Sequence, residues 1–125
     1  MKKVIAAKQA PNAAFPYSPG IRVGNTVYIS GQIPIDPETG EMGDTIEEQA
    51  AQALTNLQNV LKLENLGMEN VVKTTVFITD INDFPKVNEI YATFFEPPFP
   101  ARSCIEISKI PKGCKIEIEC IACVF

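Results

Sequence analysis

Alternation of apolar and polar residues predicts two strands in the C-terminal part of the chain. Segments 102–107 and 115–119 each alternate, and Ile110-Pro111-Lys112-Gly113 between them has the composition of a turn. We therefore predict an antiparallel hairpin. Its apolar face is formed by Ile105, Ile107, Ile116, Ile118, Cys120, Ala122 and Val124. Its second face either meets water or forms a ligand site, and it carries Arg102, Cys104, Glu106, Glu117 and Glu119.

Helical periodicity predicts two helices that cover the apolar face. The first is expected to begin at Asp44 or Thr45, because each is followed three residues later by a glutamate, and to end at Gly67. The second is expected to begin near Asn82-Asp83 and to end at Pro97. Its apolar residues are predicted to face inward: Val87, Ile90, Tyr91 and Phe94.

Segments rich in β-branched residues predict the remaining strands. Segments 21–23 and 26–30 flank Gly24-Asn25, a pair suited to a tight hairpin turn, and 71–79 has the clearest strand pattern. Residues 3–6 are expected to form a short edge strand. The resulting order, β-β-α-β-α-β-β after that edge strand, predicts an α+β domain with two helices on one face of a mixed sheet. We predict a single domain over residues 1–125, with the second sheet face uncovered.

The composition of the chain excludes several kinds of catalytic and binding site. The chain contains no histidine, which excludes Ser-His-Asp and Cys-His nucleophile pairs and histidine-ligated zinc. Its net charge is −4 and its lysines are scattered, so the sequence gives no support for a nucleic-acid groove. No segment is long enough to span a membrane. Four cysteines are too few for a disulfide scaffold. We expect reduced, mostly buried thiols, as is typical of a cytoplasmic protein.

Several motifs, in one order along the whole chain, resemble the Rid family of reactive-intermediate deaminases, also called YjgF proteins. They are Pro16-Tyr17-Ser18, Tyr28 to Pro34, Lys73 to Phe77, Val87 to Tyr91 with Phe94-Phe95, Pro100 to Cys104, and Lys115 to Glu119. The resemblance implies a chorismate-mutase-like fold and a homotrimer with its sheets facing inward and clefts between subunits. It also implies hydrolysis of 2-aminoacrylate and related 2-imino acids to 2-oxo acids and ammonia, without metal or cofactor.

Arg102 and Glu117 are the candidate catalytic residues. A guanidinium can hold a carboxylate by two parallel hydrogen bonds, and the resemblance makes Arg102 the anchor for the substrate's carboxylate. The alternative is an intersubunit salt bridge to a glutamate. Glu117 is the candidate that activates or orients water. The residues alone do not choose between Glu117 and Glu119, which could both be solvated acids, and the resemblance assigns the role to Glu117.

Further substrate-binding positions follow from the resemblance alone: Tyr17, Ser30, Gly31, Asn88 and Cys104. A thiol nucleophile at Cys104 would need a base or a cation, and no histidine can serve, so we expect no covalent step. The resemblance implies that Cys104 contributes its backbone carbonyl. Without the resemblance, Tyr17 would be interpreted as a loop packing residue and Asn88 as a polar residue on an exposed helix face.

The predicted hairpin register keeps the two candidate catalytic residues apart. Arg102 would oppose Cys123 and Glu117 would oppose Ser108, so the two would lie roughly 20 Å apart at ~3.3 Å per residue. One chain would then be unable to bring them together. A site that contains both must lie between subunits, which is a physical argument for an oligomer.

Two other functions remain open at this point. A non-enzymatic trimer could bind a small carboxylic acid in the same cleft as a regulatory signal, and turnover would distinguish it from an enzyme. Some relatives carry an endoribonuclease or translation-inhibitor role. The acidic charge and the absence of histidine argue against that role here.

Overall fold

The computed structural model describes residues 1–6 and 15–125. Their helices and longer strands are β1 (Lys3–Ile5), β2 (Gly20–Val23), β3 (Thr26–Gln32), α1 (Ile46–Lys62), β4 (Val71–Ile78), α2 (Phe84–Ala92), β5 (Ala101–Glu106) and β6 (Ile116–Cys123). The six strands form one sheet in the order β1-β2-β3-β6-β4-β5. Only β4 and β5 are parallel within it. None of the helices described is long and apolar enough to cross a membrane.

Both helices pack on the same sheet face, where they enclose one hydrophobic core. Helix α1 buries an apolar stripe that includes Ala53, Leu54, Leu57 and Leu61, and these residues pack against the inward side chains of β3, β4 and β6. Helix α2 adds Val87 and Tyr91. The predicted two-layer α+β fold, with two helices on one face of a mixed sheet, is confirmed.

The ends of α1 show which local signals were interpreted correctly. Thr45 is the N-cap, and its hydroxyl accepts a hydrogen bond of 3.1 Å from the backbone amide of Glu48. The helix ends at Lys62, whereas the sequence pattern predicted an end at Gly67. Asn65 explains the difference, because it adopts a φ of +58° and reverses the chain before the glycine is reached.

Two further local predictions are confirmed. Strands β2 and β3 form a hairpin in which Val23 pairs with Thr26 across Gly24-Asn25, and Gly24 has the positive φ of +59° that such a turn requires. Helix α2 follows Asp83 and has a proline in its first turn. It ends at Ala92, earlier than the predicted end at Pro97.

The predicted hairpin between the last two strands is wrong. Strand β5 pairs only with β4, in parallel, and lies at the edge of the sheet, whereas β6 lies between β3 and β4. The connection from β4 through α2 to β5 is a parallel crossover, which brings β5 to the outer side of β4. Strand β6 buries every second side chain and therefore occupies the centre, as expected for a strand with an apolar face.

The face assignment of β5 is corrected for the same reason. Arg102 is the register partner of Thr74, whose side chain is fully buried under the helices, so Arg102 and Cys104 lie on the helix-covered face. Ile105 lies on the uncovered face and is 46% exposed. In β6 the prediction is confirmed, because Ile116 and Ile118 are buried while Glu117 lies on the uncovered face.

Candidate functional site

Arg102 lies at the edge of the sheet, against one face of α2. Its Nη1 donates a hydrogen bond of 2.8 Å to Oδ1 of Asn88. Its guanidinium carbon lies 5.1 Å from the ring centroid of Phe84 and 4.8 Å from that of Tyr91, within the range of a cation–π contact. Asn88 is therefore half-buried and bonded to Arg102, and its interpretation as a residue of an exposed helix face is wrong. We call Phe84, Asn88, Tyr91 and Arg102 the arginine cluster.

The arginine cluster is fastened to the neighbouring strand. The hydroxyl groups of Tyr91 and Thr74 lie 2.8 Å apart and share a hydrogen bond, and both side chains are buried. The Phe95 ring packs on the Tyr91 ring, with 4.6 Å between the two centroids. Burial raises the pKa of Tyr91, although the Thr74 hydrogen bond opposes the shift. Tyr91 therefore stays neutral at physiological pH and serves as a fixed wall.

The positive charge of Arg102 has no carboxylate partner in the part of the chain that the structure describes. No Asp or Glu oxygen there lies within 4.0 Å of its guanidinium. Its contacts are two aromatic rings and one neutral amide, which hold the group in place without cancelling its charge. Such an arginine is suited to binding an anion from outside the chain.

Cys104, two residues along β5, packs against the core. Burial raises the pKa of its thiol, and the nearby charge of Arg102 opposes this only in part. A raised thiol pKa disfavours the thiolate that a nucleophile needs. Because β5 is an edge strand, part of its backbone lacks a strand partner, which leaves main-chain groups near Cys104 for other contacts.

Glu117 lies on the uncovered face of the sheet and has no cationic partner within 4.0 Å among the described residues. Burial, and to a lesser extent the like charge of Glu119, raises the pKa of Glu117 above its ordinary value. Glu119 lies two residues along the same strand, on the same face, and is exposed. A carboxylate with a raised pKa is a better proton acceptor, as the proposed water step requires.

Gly31 gives the Glu117 side chain the space that it occupies. A Cβ atom at position 31 would lie 2.7 Å from Cδ of Glu117, closer than real Cβ atoms come to carbon. The β3–β6 register shifts between Ile29 and Gln32, so Gly31 lies in an irregularity of the strand. Any side chain at this position would displace the Glu117 carboxylate, so the glycine allows Glu117 to lie this close to the backbone. We call Gly31, Glu117 and Glu119 the glutamate face.

Ser30 connects this strand irregularity to the segment that contains Tyr17. Its hydroxyl donates a 2.6 Å hydrogen bond to the carbonyl of Ser18, and its amide donates one of 3.0 Å to the carbonyl of Pro19. Tyr17, which directly precedes Ser18 in the chain, is 56% exposed. Tyr17 is thus held near the end of β3 by its neighbours and has surface available for a ligand or another subunit.

Within one chain the arginine cluster and the glutamate face are separate. Register pairing aligns Arg102 with Cys120 through Thr74, so the predicted pairing with Cys123 is wrong. Glu117 aligns with Ile105 through Phe77, instead of with Ser108. The two Cα atoms are roughly 14 Å apart, three residues along and two strands across. Their side chains point from opposite faces, so one chain does not bring them together.

The sequence interpretation missed the aromatic part of the arginine cluster. Phe84, Asn88 and Tyr91 are spaced i, i+4 and i+7, which places them on one face of α2. This spacing is visible in the sequence. It was overlooked because Arg102 was assigned to the sheet face away from the helices.

Comparison with known proteins gives matches over nearly the whole chain. A family model described as Endoribonuclease L-PSP matches residues 7–124. The 2-iminobutanoate/2-iminopropanoate deaminase of Salmonella typhimurium is 46% identical over 125 residues, which cover 98% of each protein.

Solved structures give the same picture. Escherichia coli TdcF with bound serine superposes with a TM-score of 0.90 at 40% identity, covering 98% of this chain and 99% of that one. RidA from the Antarctic bacterium Psychrobacter gives a TM-score of 0.91 at 38% identity, with the same coverage.

Proposed function

Because the chain belongs to the Rid/YjgF family, whose model is described as Endoribonuclease L-PSP, we propose that it is an enamine/imine deaminase. It hydrolyses 2-aminoacrylate and related 2-imino acids to 2-oxo acids and ammonia. The observation that carries this proposal is the arginine cluster, in which a fixed guanidinium keeps an uncompensated charge beside neutral groups. A deaminase name on a relative that is 46% identical supports it.

Arg102 binds the substrate's carboxylate in this proposal. Asn88 takes up one of its N–H groups, which leaves others for a paired contact with the two carboxylate oxygens. Loss of such a partner costs about 2–5 kcal/mol when the pair is desolvated. The backbone of Cys104 and the side chain of Asn88 complete this side of the cleft.

Glu117 handles the water. It accepts one proton from water while the oxygen attacks C2 of the imine, and it passes that proton to the nitrogen to give a tetrahedral adduct with a hydroxyl and an amino group on C2. The proton of that hydroxyl moves to the amino group as the adduct collapses, so both hydrogens of the water end on nitrogen. The C–N bond breaks, ammonia leaves, and the 2-oxo acid remains, so that one water is consumed for each imine. An enamine first takes up a proton at C3 and gives one up from nitrogen, which converts it into the imine. Tyr17, Ser30 and Gly31 line the same side of the cleft.

We further propose that the site lies between adjacent subunits of a homotrimer, with Arg102 from one chain and Glu117 from the next. The separation of the two residues on opposite sheet faces supports this arrangement. The uncovered sheet face also carries apolar side chains that a partner would bury, since Tyr28 is 49% exposed and Ile105 is 46% exposed. Sheets that face inward would cover both residues.

The experiment that tests the activity generates 2-aminoacrylate in situ with a pyridoxal-phosphate-dependent serine dehydratase. Semicarbazide competes for the imine, so a deaminase lowers the initial rate of semicarbazone formation and accelerates release of pyruvate. Wild type is compared with Arg102→Ala and Glu117→Ala. We expect acceleration by wild type and near-complete loss in both variants. No acceleration with this or bulkier imines, from folded trimeric protein, would overturn the proposal.

The shared site has its own test, which is complementation. Chains with Arg102→Ala and chains with Glu117→Ala are coexpressed and the mixed oligomers are purified. If each site takes Arg102 from one chain and Glu117 from the next, random mixing restores about a quarter of the sites. If both residues serve a site within one chain, mixing restores none. Light scattering of the same samples measures the number of subunits.

A ligand-binding role without turnover is a second candidate, and the serine bound to Escherichia coli TdcF in its solved structure favours it. The same cleft would then sense a small carboxylic acid. Saturable binding of pyruvate to wild type, lost in Arg102→Ala, with no acceleration of imine hydrolysis would establish this alternative.

The description of the family model favours a third candidate, cleavage of RNA. The chain has a net charge of −4, which disfavours the extended basic surface that RNA binding needs. A site in which one arginine binds a small anion does not need such a surface. RNA degradation that copurifies with the protein, and that Arg102→Ala and Glu117→Ala both abolish, would support cleavage by the same site.

We also propose that the protein works in the cytoplasm. Cys104, Cys114, Cys120 and Cys123 are all free thiols, and Cys114 and Cys120 are buried. Reduced cysteines of this kind are usual in a reducing compartment. Fractionation of cells that express the chain with a small epitope tag would test the location.

A further inference from the structure

Three residues on one face of α2 surround the guanidinium of Arg102. Phe84, Asn88 and Tyr91 follow one another at intervals of four and three residues, so their side chains form a slot two helical turns long. The guanidinium carbon of Arg102 lies 5.1 Å from the centroid of one ring and 4.8 Å from that of the other. Asn88 closes the slot with its 2.8 Å hydrogen bond.

We propose that Phe84 and Tyr91 are positioning residues, which hold Arg102 in the orientation that binds the substrate's carboxylate. This inference deepens the deaminase proposal and rests on the assignment of Arg102 as the anion anchor. The rings act through Arg102 and require no contact with the substrate.

The contacts of Tyr91 indicate why the slot is rigid. Its hydroxyl is bonded to Thr74 at 2.8 Å, and its ring packs on Phe95 with a centroid distance of 4.6 Å. Thr74 is also the register partner of Arg102 on the adjacent strand. Tyr91 is therefore hydrogen-bonded to β4, the strand that pairs with β5 at Arg102. This bond keeps the Tyr91 ring in a fixed position relative to Arg102.

Aromatic rings suit this slot better than charged side chains would, because they hold the guanidinium without neutralising its charge. An aromatic face attracts a cation through its quadrupole and carries no net charge. The guanidinium thus gains a favourable contact with both rings, and the N–H groups beyond the one bonded to Asn88 are left for a carboxylate. A free arginine side chain would lose rotamer freedom on binding each substrate molecule, and the slot removes that cost in advance.

The test replaces each ring by leucine and measures binding of pyruvate, the carboxylate product, by calorimetry. We expect Phe84→Leu and Tyr91→Leu each to weaken binding about five- to tenfold, in keeping with the strength of a partly buried cation–π contact. Phe94→Leu is the matched control, because Phe94 packs against the core two residues after the end of α2 and is not among the rings that contact Arg102. It should leave pyruvate binding within about twofold of wild type.

A second variant separates the ring from its hydroxyl. Tyr91→Phe keeps the ring and loses the bond to Thr74, so we expect a loss of binding of about two- to threefold, smaller than that of Tyr91→Leu. If Tyr91→Phe and Tyr91→Leu bind equally weakly, the hydroxyl matters and the ring does not, which overturns the inference. If Tyr91→Leu does not accumulate as folded protein, Phe84→Leu carries the test, and unchanged pyruvate binding in it overturns the inference.

Steady-state kinetics distinguish positioning from general loss of structure. We expect KM for the imine to rise in parallel with the Kd for pyruvate while kcat falls less than about threefold. A fall in kcat with unchanged KM would contradict the positioning role. Should the chain fail to accelerate imine hydrolysis at all, pyruvate binding that depends on both rings would still support the inference, and the deaminase proposal alone would fail.

Discussion

Arg22 and Arg102 lie in the same sheet but in opposite electrostatic surroundings. Arg22 Nη1 lies 3.3 Å from a carboxylate oxygen of Glu64, and Lys3 Nζ lies 3.0 Å from the other oxygen. The Glu64 side chain is only 6% exposed. These three residues, Lys3, Arg22 and Glu64, form what we call the paired cluster. Arg102 is contacted instead by an amide and two rings.

The two carboxylates differ in the same way. Burial alone would raise the pKa of Glu64, but hydrogen bonds from Lys3 and Arg22 outweigh it and lower that pKa. Burial and the charge of Glu119 raise the pKa of Glu117, which has no cation beside it among the described residues. The charges of the paired cluster are compensated within the chain, whereas the candidate site residues keep charges that a ligand or a neighbouring subunit can meet.

The largest expected effect in this comparison comes from changing Arg102 to lysine. Arg102→Lys keeps the charge but loses the planar fork that grips a carboxylate by two bonds. We expect kcat/KM for imine hydrolysis to fall about 100-fold, which corresponds to about 2.7 kcal/mol.

Arg22→Lys is the matched control for Arg102→Lys. Its charge still faces Glu64, so we expect kcat/KM within about twofold of wild type. Similar losses in the two variants would remove the distinction between the paired cluster and the arginine cluster. Circular dichroism on both variants checks that the fold is retained.

The next effect comes from giving Arg102 the carboxylate that Arg22 already has. Asn88→Asp is nearly isosteric and converts the neutral partner into an anion. The new carboxylate would compete with the substrate's own, so we expect pyruvate binding and kcat/KM to fall about tenfold or more while Tm stays the same or rises. Asn88→Ser is the control, because it removes the amide without adding charge. If Asn88→Ser loses as much binding and activity as Asn88→Asp, the absence of a negative charge at position 88 is not what matters.

The sequence predicted the local elements of this fold because their signals are local. The Thr45 cap, the Gly24-Asn25 turn and the alternation of β4 each depend on residues within a few positions of one another. The neighbour of β5 depends on a crossover through α2, which is a long-range contact. A β-hairpin between the last two strands fitted the alternation equally well, and no residue pattern within 101–123 excludes it.

For the candidate site, the sequence indicated which residues could take part but not which side chains contact them. Arg102, Glu117 and Glu119 were candidates because each puts a charge on a predicted strand, and only the resemblance to the Rid family chose Glu117 over Glu119. The separation of Arg102 and Glu117 was also expected, but the physical reason was wrong, since opposite faces, and not distance along a hairpin, keep them apart. The error in the face of β5 also hid the rings, because a residue assigned to the open face has no helix to contact.

A moderate effect on stability is expected from breaking the paired cluster. Glu64→Gln removes the acceptor for both cations, and we expect a loss of about 1 kcal/mol in the free energy of unfolding, since Lys3 is largely exposed. Imine hydrolysis should stay within about twofold of wild type. Urea denaturation at pH 7 measures the first quantity, and a loss of activity with unchanged stability would contradict the structural role of the cluster.

The contribution of Glu64 to stability should depend on pH, and Glu64→Gln tests this. The pKa of Glu64 is lower in the folded chain than its ordinary value of 4.5, so its contribution is present above that value and is lost as pH falls through the folded pKa. The difference in stability between wild type and Glu64→Gln should therefore shrink as the pH is lowered below 4.5. A difference that persists unchanged into strong acid would show that the carboxylate charge is not its source.

The smallest expected effect concerns Glu117, the carboxylate that has no cation beside it among the described residues. Glu119→Gln removes the like charge that helps to raise the pKa of Glu117. Because Glu117 must be ionised to accept a proton from water, activity is lost as pH falls through its pKa. Glu119→Gln should therefore move the acid limb of the kcat/KM profile to lower pH, while the plateau stays within about twofold of wild type. Glu106→Gln, on the edge strand β5, is the control and should leave the limb in place. A limb that Glu119→Gln does not move, or moves to higher pH, would mean that Glu117 does not set it.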